Sequence, residues 1–157
     1  MTELPQDSHR RPPSEVAWLG YGGLLPFLGL AALSGADPHR ATMWSQALVA
    51  YAAVILSFVG ALHWGFAMSL PGLGPALRRR ALVWSVVPAL LAWPATLLPA
   101  RAASWILLAG FALHLAQDLR LARPAGLPAW YLPLRWRLSV VAGLCLLLNI
   151  WYATPHG

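Results

Sequence analysis

Apolar runs joined by short Gly- and Pro-rich segments fill residues 16–152. A helix needs roughly 17–25 such residues to cross a bilayer. Five stretches are long enough: about Val16 to Leu33, Met43 to Leu70, Ala81 to Leu98, Ala102 to Leu121 and Leu134 to Tyr152, the second exceeding that range and expected to tilt. In lipid every backbone N–H and C=O must be satisfied internally, and a helix does this alone. The pattern predicts an all-α polytopic membrane protein, a bundle of five transmembrane helices. Composition agrees. Of 157 residues 59% are hydrophobic and 10% charged, where soluble domains carry about 25% charge.

A single membrane domain over 16–152 is expected, between a disordered polar tail over 1–15 and a short outer tail over 153–157. A cleaved signal peptide is a weaker reading of the first run. That run is long for one and follows a tail holding Glu3, Asp7 and Glu15. The joints "SGADPHRAT" and "PGLGPALRRR" break helices and leave no room for a soluble domain.

The net charge of +6 comes from arginine, since lysine is absent. Arg10, Arg11, Arg78, Arg79, Arg80, Arg120, Arg123, Arg135 and Arg137 fall on one side of a five-span topology, and Arg40 and Arg101 on the other. Cytoplasmic segments collect arginine, so the N-terminus is expected inside and the C-terminus outside. Arginines that flank spans, and form no single basic face, point to the lipid bilayer as partner and not to nucleic acid. Arg120, Arg135 and Arg137 are candidate contacts to anionic headgroups or to a membrane partner. The single Cys145 excludes an intramolecular disulfide and a cysteine-built zinc site.

Small residues recur every fourth position in the second run: Ala53, Ser57, Ala61, Gly65 and Ser69. Such ladders let helices approach where lipid offers no hydrophobic drive, so Ser57, Ala61 and Gly65 are candidate packing positions, within the chain or in a homo-oligomer. Glycines and Pro26 should bend the first span, and Pro88 and Pro94 should kink the third. Most of the tryptophans cluster at span ends, as an aromatic belt does. The segment "LPAWYLPLRWR" is expected to follow the headgroups into the fifth span.

Against this background His63, followed by Trp64, is anomalous. In the assigned topology it lies seven residues before Leu70, and His114 lies six before Arg120. At ~1.5 Å per residue both histidines sit about 10 Å above the same membrane edge. His114, Gln117 and Asp118 share one helical face. A carboxylate at such depth is costly unless paired. Its candidate partners are His63, His114, Arg120, Arg135 and Arg137.

Four readings of this cluster compete. It is a structural polar knot, or it faces a small hydrophobic ligand such as a headgroup, a quinone or a haem edge. It is part of a proton or ion path, or it is the site of an intramembrane enzyme. No nucleophile motif surrounds Ser57, Ser85 or Ser139, and HExxH is absent. Catalysis is therefore not expected, and neither a metal nor a named cofactor is assigned.

The blocks "GLLPFLGL", "YAAVILSFVGALHWGFA", "SVVPALLAW" and "PAWYLPLRWRLSVV" resemble, in order, those of the bacterial family called domain of unknown function 3429. Its relatives include mitochondrial transmembrane protein 69. The resemblance covers about residues 16–152. Ser139 stands where members commonly have Thr, and Ala61 where they often have Gly. The resemblance implies a small multi-pass protein of the bacterial inner membrane and carries over no activity. A non-enzymatic binding or assembly role is expected, with proton- or ion-coupled small-molecule transport as the alternative.

Overall fold

The computed structural model describes residues 11–153. Among these, every regular element is helical: α1 (Ser14–Gly22), α2 (Leu25–Ala36), α3 (Ala41–Ser69), α4 (Pro75–Ala95), α5 (Ala100–Ala122) and α6 (Tyr131–Tyr152), with one 3₁₀ turn at Pro38–Arg40. The tail expected over 1–15 lies mostly outside the described residues, as does 154–157. Its last two positions, Ser14 and Glu15, already belong to α1.

Among the described residues four stretches are long and apolar enough to cross a membrane: Ser14–Ala36, Pro38–Ser69, Ala100–Ala122 and Tyr131–Tyr152. The first spans α1 and α2, which are broken at Gly23–Leu24. Pro26 lacks an N–H, and its ring clashes with the carbonyl four residues back, so the helix cannot run through smoothly. The Gly23 carbonyl at the break accepts the Tyr51 hydroxyl of α3 at 2.9 Å. A neighbouring helix thus satisfies what the break exposes. Most of the stretch expected as a span at 81–98 lies in α4, which is not one of these four: it runs from Pro75 to Ala95 and carries Arg78, Arg79 and Arg80 inside the helix. Those arginines make α4 the least apolar long helix.

Helix α3 is the hub, packing against α2, α4, α5 and α6. Leu48, Leu56, Leu107 and Leu146 are fully buried around it, with Phe27 and Phe111 almost so. The packing seam differs from the expected ladder. Ala61 and Gly65 are off the seam: Ala61 is exposed, and no atom lies within 4 Å of where a Gly65 Cβ would stand. Ser57 is half-buried and bonds back to the Ala53 carbonyl at 2.8 Å. A strict four-residue repeat rotates about 40° per step around a 3.6-residue helix, so a ladder buried at Ala53 has left the seam by Ala61. The seam instead follows Ala52, Leu56, Gly60, His63 and Ala67, all buried. A Cβ on Gly60 would lie 2.8 Å from Pro88 Cγ, and one on Gly110 would lie 2.6 Å from Leu56 Cδ2.

The turn from α5 to α6 is built on Gly126, at φ +62°. The Leu127 N–H reaches the Ala122 carbonyl at 3.0 Å, and the Gly126 N–H reaches that of Arg123 at 3.2 Å. These are the two bonds of a Schellman cap, which needs a left-handed residue that only glycine supplies cheaply. Helix α6 then begins at Tyr131, inside the segment expected to follow the headgroups. Pro133 in its first turn is no obstacle, because N–H groups there have no helical acceptor. The early start sets Tyr131 and Arg135 four apart on one face.

Candidate functional site

Four helices converge on Asp118, whose side chain is fully buried. The Arg135 Nε donates to its Oδ2 at 2.7 Å. His63 Nε2 lies 2.9 Å from Oδ1, and the Tyr131 hydroxyl donates to the same oxygen at 3.1 Å. Residues of α3 and α6 therefore close on a carboxylate carried by α5. Both His63 and Arg135 are buried, at 2% and 6% exposure. Breaking such a pair strands a charge in an apolar surround, at a cost of about 3–5 kcal/mol.

His114 ties in the fourth helix. Its ring centroid lies 5.0 Å from that of His63. The Trp84 Nε1 of α4 donates to His114 Nδ1 at 3.1 Å. Tryptophan is only a donor, so Nδ1 carries no proton and the neutral ring holds its proton on Nε2. That nitrogen lies 3.8 Å from Asp118 Oδ1, outside hydrogen-bond range.

His63, His114 and Asp118 each offer one ligand atom, and the three lie within 4.8 Å of one another. Their spacing would let a metal gather them, but the donor pattern opposes it. A metal on His114 Nε2 would move the ring proton to Nδ1, which would then face the Trp84 N–H, donor against donor. It would also sit beside the Arg135 guanidinium. These residues fit a hydrogen-bonded ion pair better than a metal centre.

The remaining expected residues lie around the cluster or outside it. Trp64 is 52% exposed and is no part of the cluster; the indole that reaches it is Trp84. Gln117 accepts from Arg80 Nη2 at 3.0 Å at the rim. Arg120 and Arg137 are exposed, the latter reaching the Tyr21 hydroxyl at 3.3 Å. Arg135 is not a headgroup contact in this structure, because it turns inward onto Asp118. Arg80, Trp84, Gln117 and Arg120 frame a recess of about 20 Å³ with His63 at its wall. That is room for one water.

Sequence reasoning missed Trp84 and Tyr131. The 131/135 spacing was the available signal for Tyr131. For Trp84 there was none, since an indole near a span end reads equally as a belt residue.

A second polar node lies at the other end of the bundle. Asn149 Nδ2 donates to Ser104 Oγ at 3.0 Å and, more weakly, to the Ser45 carbonyl at 3.4 Å. It joins α3, α5 and α6. Asp118 and Ser104 are fourteen positions apart on α5, about 21 Å along the axis.

Long apolar helices around a buried interhelical ion pair define a multi-pass, all-α membrane protein. The chain belongs to the family described as protein of unknown function DUF3429, whose pattern matches residues 12–151. It is also similar to transmembrane protein 69 of Xenopus tropicalis, with 37% identity over 131 residues. That alignment covers 83% of this chain and 51% of the relative, so the chain spans about half the relative's length. No solved structure matches.

Proposed function

We propose that this is a non-enzymatic binding or assembly protein of the bacterial inner membrane. The observation that supports the reading is the complete burial of Asp118 among donors from two other helices. Each carboxylate oxygen is already engaged, which suits a structural and recognition element better than a reacting group.

In this reading α4 is a fifth crossing. Its apolar part, Ala81–Ala95, shows Val83, Leu90 and Trp93 to the outside, as a lipid-facing helix would. Arg78, Arg79 and Arg80 then join Arg120, Arg123 and Arg137 on the cytoplasmic side, with the N-terminus inside and the C-terminus outside. The membrane domain covers 16–152, and copies of the chain or a complex partner would meet its exposed helix faces.

Coupled transport would need a polar route between the two nodes. Leu56, Leu107, Phe111 and Leu146 occupy that interval and are all buried.

The test is native mass spectrometry of protein purified in mild detergent, paired with complementation of a deletion strain. Asp118→Asn and His63→Ala are each expected to lose a bound molecule or partner and to fail complementation. An empty wild-type protein, together with folded, fully complementing variants, overturns the reading.

A further inference from the structure

At the arginine-rich end of the bundle, outside the Asp118 cluster, α1 packs against α6 and leaves a recess of about 240 Å³. Two proline-fixed segments form its walls: Pro12 lies just ahead of α1, and Pro133 in the first turn of α6. Proline locks φ at about −65°, so the residues beside it start from a stiff backbone. Arg11 and Trp130 line the recess from these segments, and Tyr21 and Arg137 line it from further along α1 and α6. Arg137 is aimed here: its Nη1 donates to the Tyr21 hydroxyl at 3.3 Å, and both side chains line the recess. Arg11 and Arg137 are exposed, so an incoming group can reach them.

Charge says what belongs there. Two guanidiniums line the recess and no carboxylate does. Of the arginines at this end, Arg135 alone pairs with a carboxylate among the described residues. Glu15, the other described carboxylate at this end, does not line the recess. Cations that the chain leaves unneutralised at the edge of an apolar span draw their counter-ion from the surroundings, and basic pockets between helices at that level suit lipid phosphates. Tryptophan and tyrosine favour the same headgroup layer. From this we infer that the recess holds the phosphate of an anionic phospholipid, clasped between Arg11 and Arg137.

The planar fork of a guanidinium matches phosphate oxygens with two parallel N–H bonds. A headgroup that carries its own ammonium would bring a third cation beside these two and be repelled. The recess therefore prefers phosphatidylglycerol to phosphatidylethanolamine. It shares no residue with the Asp118 cluster, so this site goes beyond the binding or assembly reading, and either can fail without the other.

The test places the full chain in nanodiscs of palmitoyl-oleoyl phosphatidylethanolamine with phosphatidylglycerol as the minor component. Protein is extracted in mild detergent and weighed by native mass spectrometry. The wild type is expected to keep one phosphatidylglycerol. Arg11→Gln and Arg137→Gln should each lower that retention about five-fold, the equivalent of the ~1 kcal/mol that one arginine contributes near an anionic surface. Arg79→Gln, at an exposed arginine of the same end outside the recess, should leave it unchanged. The wild-type comparison of the two lipids stands by itself if a variant fails to fold. Equal loss in all three variants would mean a diffuse basic surface and overturns the inference. So does retention of phosphatidylethanolamine as strongly as phosphatidylglycerol, or binding of inorganic phosphate to lipid-free protein that keeps no lipid. Retention that appears only after Glu3→Gln and Asp7→Asn would put a carboxylate of the chain itself in the recess, which overturns it too. An Asp118→Asn chain that loses its other bound molecule and still keeps phosphatidylglycerol supports two separate sites.

Discussion

The two ends of the bundle solve one problem with different chemistry. Near the Asp118 end, α3, α5 and α6 meet through an ion pair, a phenol and an imidazole. Near the Asn149 end the same three helices meet through a neutral amide, a hydroxyl and a backbone carbonyl. Both nodes are buried. A neutral interhelical hydrogen bond in a membrane averages about 0.6 kcal/mol, whereas an uncompensated buried charge costs several times that. Loss of the amide node strands no charge on its neighbours. The ionic node cannot lose a member without turning the others into liabilities. Polar residues in a membrane bundle are therefore not equivalent glue, and charge decides which one dictates the assembly.

The largest test of that contrast is Asp118→Asn. It leaves Arg135 buried without a counter-ion and should lower stability by about 3–5 kcal/mol, read as reversible unfolding in mixed micelles. Adding Arg135→Met to Asp118→Leu should recover at least half of the loss caused by Asp118→Leu alone, because the pair then leaves no orphan charge. If the double variant is worse than the single, the ionic description of the node is wrong. Tyr131→Phe removes one donor from a carboxylate that keeps two, and should cost about 1–2 kcal/mol on the same scale. Asn149→Leu should cost no more than about 1 kcal/mol; a loss as large as that of Asp118→Asn would erase the distinction between the two ends. Smallest of all is the metal test. Added zinc, or EDTA, should leave the unfolding temperature unchanged, since Trp84 holds His114 in the tautomer that does not ligate through Nε2.

Much of the frame is legible in the order of residues alone. Apolar run length gives helical membrane segments, and the glycines with Pro26 mark where the first one bends. Counting back from Leu70 and Arg120 puts His63 and His114 at one depth, and their rings lie 5.0 Å apart. Arg135 is one of five candidate partners of Asp118, and nothing in the linear pattern ranks them. What ranks them is the rotation of α6, and that depends on where the helix begins. A start at Leu134 leaves Tyr131 in a loop, while a start at Tyr131 stacks it on Arg135. The small-residue ladder misleads for the complementary reason. Four-residue spacing is only near the helical period, so within this chain the ladder buried at Ala53 is half-buried one step on, at Ser57, and exposed after two, at Ala61.

The turn at Gly126 places Arg135 only seventeen positions after Asp118, on the very next helix. During synthesis α5 carries its carboxylate toward the bilayer before its counter-ion exists. The cluster's histidines are available earlier, but the guanidinium that balances the charge arrives only as α6 emerges. The two helices should therefore enter lipid together, as a hairpin that is neutral where neither arm is neutral alone. Chains arrested before and after Arg135, compared for protease protection of α5, would show the carboxylate waiting at the surface in the first and settled in the second. The short turn is then a timing device for biogenesis as well as a bend in the chain.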